Sequence, residues 1–159
     1  MIRSEYTYTP EQLVGIGFRG WLAGYEYQDI ACWEEVWKTY ITALGPKQSK
    51  RAVTDLSSWV RTVIRTACRP IKTLPPGCCR FCEDEHLAIS IIASCQHNHC
   101  PALKVCARTL LGSSDIDAML DEASDFARLL TETGQHLELS SARNIACSGG
   151  CQYLTSRRH

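Results

Sequence analysis

Residues 78–106 read CCRFCEDEHLAISIIASCQHNHCPALKVC, and they hold six of the chain's ten cysteines and three of its five histidines. Inside this belt, the segment from about 83 to 96 predicts a helix. Glu83, Asp84 and Glu85 suit a first turn whose positive end they complement. Leu87, Ala88, Ile91, Ile92 and Cys95 follow at helical spacing as a buried stripe. A helix rises about 1.5 Å per residue, so Cys82 and Cys95 lie ~20 Å apart and cannot share one metal ion.

The belt therefore divides into two candidate clusters. Cys78, Cys79, Cys82 and His86 gather at the start of the helix, with Cys82 and His86 one turn apart. Cys95, His97, His99 and Cys100 gather at its end. Each offers four soft or borderline ligands, which suits tetrahedral zinc in residue type, although neither has paired CxxC spacing. If the following helices run up and down with short loops, the C-terminal CSGGC returns to the first cluster. Cys78 with Cys82 and Cys147 with Cys151 then supply four thiolates for zinc or, as the alternative, an iron-sulfur cluster. Cys32, Cys68, Cys95 and Cys106 sit on or beside apolar stripes and read as core residues, since cysteine packs as a small hydrophobe.

Outside the belt the pattern is helical as well. Thr9, Pro10 and Gln12 form a helix start with a capping box and proline at the first position. Aromatic and apolar residues then recur through about 10–24. Gln28 and Asp29 mark a break and a new cap, and Trp33, Val36, Trp37, Tyr40 and Leu44 continue to the stop at Gly45-Pro46. Aromatics at this spacing read as core. The segment 47–69 is an amphipathic helix with Val53, Leu56, Val60, Val63 and Ala67 on its apolar face. Pro75-Pro76-Gly77 makes a turn. Pro101 opens a helix ending at Gly112, Ser113 or Ser114 caps an acidic helix over about 115–133, and Gly134 ends it. GQHLELS alternates like a short strand, SSARNIAC reads as two helical turns, and 152–159 as a frayed tail.

Formal net charge is zero, but charge is segregated. Residues 47–72 carry Lys47, Lys50, Arg51, Arg61, Arg65, Arg69 and Lys72 against Asp55, a local charge of +6. Residues 115–138 carry seven acids against Arg128, a local charge of −6. Lys47, Lys50, Arg51, Arg61, Arg65 and Arg69 are the candidate anion or nucleic-acid contacts. No aromatics interleave on that face, so a solvated surface meeting the acidic helix or a protein partner is the preferred reading.

The expected architecture is an all-α, single-domain bundle of six or seven helices over 1–159. Its halves are an aromatic and basic one over 9–72 and a cysteine-rich one over 78–151. The N-terminus has no apolar signal-like run, so the reading is a soluble, cytoplasmic protein whose cysteines are thiols or ligands rather than disulfides. No GxSxG, P-loop, GxGxxG, HExxH or zinc-deaminase pattern occurs, and no catalytic set is assigned. The expected function is a small, non-catalytic metal-binding regulatory or accessory protein. Its alternatives are a thiol-dependent redox enzyme or electron carrier using Cys79, Cys82 and the C-terminal pair Cys147 and Cys151, and a nucleic-acid-binding regulator using the basic helix over 47–72.

Overall fold

The computed structural model describes residues 7–139 of the chain. Five helices run in order: α1 (Pro10–Tyr27), α2 (Ile30–Thr66), α3 (Glu83–His97), α4 (Cys100–Leu111) and α5 (Asp117–Glu132). No strand occurs among the described residues, so the all-helical class holds. The helix count is lower than the expected six or seven. The last expected helix, within 141–151, lies outside the described residues, and 30–44 and 47–69 form one element.

That element is nevertheless broken where the sequence marks it. Gly45 has φ 87° and ψ 163°, a conformation that a residue with a side chain rarely adopts, and Pro46 fits the first turn of the following arm. The first arm packs its Tyr40 into α1, where the hydroxyl donates to the Leu13 carbonyl at 2.6 Å. The second arm carries Leu56, Trp59, Val60 and Val63, all fully buried.

The other helix ends follow their local chemistry. Thr9 Oγ1 accepts from the Gln12 amide at 3.1 Å, and Gln12 Oε1 accepts from the Thr9 amide at 2.9 Å, completing the capping box. Gln28 takes the left-handed conformation and Asp29 caps α2 through the Ala31 amide. Gly112 ends α4 in the left-handed conformation, as expected. The start of α5 differs from expectation. Ser113 accepts from Asp115 and turns the chain, and Ile116 holds the cap position with no side-chain hydrogen bond.

Helix α3 is the central element. Every residue from Leu87 to Ser94 is buried, because α1, α4 and α5 all pack against it. A helix apolar on one stripe would lie at the surface, whereas LAISIIAS is apolar or small on all sides. On its flanks α2 packs against α1 and α5. Trp59 joins these layers, with Phe18 of α1 at 5.4 Å and Phe126 of α5 at 5.6 Å between ring centroids. The core is one connected cluster reaching all five helices.

The alternation in GQHLELS does not produce a strand. Leu137 is buried as a period-two pattern requires, but the backbone is satisfied by side chains. The Leu137 amide donates to Gln96 Oε1 and the Glu138 amide to Glu11 Oε2, both at 2.8 Å. With helices around it, no sheet edge is present among the described residues for this segment to join. No helix among the described residues is long and apolar enough to cross a membrane.

Candidate functional site

Between α2 and α3, residues 67–82 have no regular structure, yet hydrogen bonds fix them at both ends and in the middle. The Cys68 amide donates to the Leu111 carbonyl at 2.7 Å, tying the start of the segment to the end of α4. Arg69 spans the same end of α4 through the Leu110 carbonyl at 2.8 Å, and its other terminal nitrogen reaches both Asp84 oxygens at 3.0 Å. Asp84 also accepts from the Lys72 amide at 2.8 Å.

The stronger fixing point is Glu85, which is fully buried. Arg19 of α1, 4% exposed, meets it side-on, with Nε at 2.8 Å from Oε2 and Nη2 at 3.0 Å from Oε1. The same carboxylate accepts from the amides of Leu74 and Cys82, each at 2.9 Å. Arg19 uses its remaining capacity on the carbonyls of Cys78 at 2.8 Å and Arg80 at 2.6 Å. Both charges are thus hydrogen-bonded several times over, which is the condition for burying an ion pair without a large net cost. Burial works against the Arg19 charge, but the hydrogen bond to Glu85 and its charge outweigh this and raise the guanidinium's pKa.

Phe81 completes the arrangement. Its ring lies under the Arg19 guanidinium, 5.0 Å from centroid to Cζ, and against Gly15 of α1. A β-carbon at Gly15 would run into the Phe81 ring, so α1 needs glycine there for the cysteine loop to dock.

The loop's thiols have different surroundings. Cys82 donates to the Lys72 carbonyl at 3.2 Å, and burial, with the charges of Glu85 and Asp84, pushes its thiol up to about 11. A reactive thiolate needs the opposite shift, so the geometry works against Cys82 as a nucleophile at neutral pH. His86, one turn on, packs edge-on to Phe81, and burial lowers its pKa. Cys78 is half-buried and Cys79 exposed. Both line a groove of about 540 Å³ between α1, the start of α2 and the loop, and Cys32 lines it too.

Cys32 is therefore a groove residue rather than a core one. Cys68, also read as core, is exposed. Cys106 is fully buried and Cys95 partly so, and burial pushes each thiol up to about 11. These two fit the expected packing role.

At the far end of α3 the second group is dispersed. Cys95 accepts from the Ser124 hydroxyl at 3.8 Å, and His97 Nε2 pairs with the Leu137 carbonyl at 2.8 Å. His99 Nδ1 caps α4 by accepting from the Ala102 amide at 3.4 Å, and Cys100 is exposed. Among the described residues no three Cys, His, Asp or Glu side chains converge as a metal-binding group. Cys147 and Cys151, the other half of the four-thiolate arrangement, lie outside the described residues.

Of the basic row, Lys47, Lys50, Arg51, Arg61 and Arg65 are exposed, whereas Arg69 is drawn into the clamp on Asp84. The expected pairing with the acidic helix amounts, among the described residues, to Arg51 with Glu132 at 3.4 Å, both more than half exposed. A pair of that kind stabilises little.

The residue pattern around Arg19 carries a signal for its role. It stands directly after Phe18 and between Val14 and Leu22 on a helix with few polar residues, and a lone arginine in such a stripe needs a buried partner. No family model, curated protein or solved structure matches the chain.

Proposed function

We propose that the protein is a small, non-catalytic metal-binding module of regulatory or accessory type, with the 78–82 loop as its ligand-presenting element. Zinc is the metal of choice, because it needs ligand geometry and no redox chemistry; an iron-sulfur cluster is the alternative. The ligands are Cys78 and Cys79 with Cys147 and Cys151, and Cys82 joins them if metal displaces its bond to Lys72. The supporting observation is that the loop is held by two buried carboxylates, Asp84 and Glu85, while Cys78 and Cys79 stay out of the core. A metal site gains affinity when its ligands are fixed before the metal arrives.

Elemental analysis of tag-free protein purified anaerobically tests the proposal. The expected result is about one zinc per chain, lost in both Cys78→Ser/Cys79→Ser and Cys147→Ser/Cys151→Ser, with a lower Tm on chelation. A fully folded wild-type protein free of metal would sink it.

A further inference from the structure

The break at Gly45 folds the two arms of α2 toward each other, and a second groove lies between them. Its volume is about 480 Å³, and it is remote from the cysteine loop in its lining. One wall is built from Ile30, Trp33 and Trp37 of the first arm, the other from Thr54, Ser58 and Arg61 of the second. Trp33 and Trp37 are one turn apart and face the same side of their helix. Both are half-buried, and Ile30 at the rim is 63% exposed.

The Trp33 indole is held in place. It stacks on Trp21 at 5.2 Å and 25°, Tyr25 meets it edge-on, and its Nε1 donates to the Trp21 carbonyl at 3.1 Å. Arg61 is held over the groove by Nε donating to the Tyr25 hydroxyl at 3.4 Å.

The groove opens onto the basic row. At 100° per residue, Lys47, Lys50, Arg51, Thr54, Ser58, Arg61 and Arg65 share one face of the second arm, and the five cations among them are exposed. That face runs ~27 Å along the helix. Among the described residues that line the groove, Glu34 is the sole acid. Sequence spacing could not show this combination, because the aromatics belong to a different arm from the cations.

We propose that this groove binds single-stranded nucleic acid, with an unpaired base against Trp33 and Trp37 and the flanking phosphates on Arg61, Arg65 and the row toward Lys47. Flat rings beside a track of cations and hydroxyls match what an unpaired strand presents, a base face and a charged backbone together. A duplex hides its base faces and is excluded from the stacking contact. The site is separate from the thiol loop, and its test is independent of any metal.

The test is fluorescence anisotropy of a fluorescein-labelled oligo(dT) of about 15 nucleotides, long enough to cover one such groove, titrated with the full chain at low salt. The expected result is saturable binding, with the matched duplex bound more weakly. Trp37→Leu and Arg61→Gln should each weaken binding by about five-fold or more, and Trp37→Phe should restore most of it. Arg61→Gln should also reduce the slope of log K against log salt by about 0.7, the share of one phosphate contact. No binding to the single strand, equal binding to the duplex, or binding that ignores Trp37→Leu would each overturn the proposal. Circular dichroism establishes that the variants fold; if Trp37→Leu does not, Trp37→Phe against Arg61→Gln and the duplex comparison decide the matter.

Discussion

Replacing Glu85 with alanine is expected to lower the stability of the fold by roughly 3–5 kcal/mol, the usual cost of stranding one partner of a buried ion pair. The variant leaves the Arg19 guanidinium buried at 4% exposure without its counter-charge. It also removes the acceptor from the Leu74 and Cys82 amides. An apolar replacement of both charges would not rescue it. Arg19 also serves the carbonyls of Cys78 and Arg80, so combining Arg19→Met with Glu85→Leu would leave backbone groups on both sides unpaired. Urea unfolding followed by circular dichroism measures the loss, and a change below about 1 kcal/mol, typical of an exposed pair, would show that water already screens the site.

Trp59→Ala should cost a comparable amount, roughly 3–5 kcal/mol, through lost burial and the cavity left behind. The indole is fully buried between Phe18 and Phe126, and its Nε1 donates to Met119 Sδ at 3.4 Å. These contacts join α1, α2 and α5, so surrounding helices cannot close the space without moving relative to one another. Trp59→Phe keeps ring packing on both sides and should lose much less. Chemical denaturation of both variants checks the order, and equal losses would mean that the Met119 contact, not packing, carries the effect.

Much of the helical framework was legible because it rests on local chemistry. The Thr9 capping box, the Asp29 cap, the Gly45-Pro46 break and the Gly112 terminus each depend on residues within a few positions of one another. The candidate site was legible only in its cysteines. Asp84 and Glu85 read correctly as first-turn acids, but nothing nearby announces that Glu85 receives Arg19 from 66 positions away. Cys32 carried the pattern of a core residue, and only the docking of the loop beside α1 makes it a groove residue. The alternation around Leu137 misled for a related reason. It reports which side chains are buried, and the partners of the backbone are set by the fold around it.

The irregular segment before α3 is a fixed platform for its thiols. Native-state hydrogen exchange by NMR at the amides of Lys72, Leu74 and Cys82 tests this most directly, since each donates to a buried carboxylate at 2.8–2.9 Å. All three are expected to be protected nearly as well as the core of α3, and the Leu74 and Cys82 amides to lose protection in Glu85→Ala. Exchange of these amides at the rate of an unstructured peptide in the wild-type protein would contradict it.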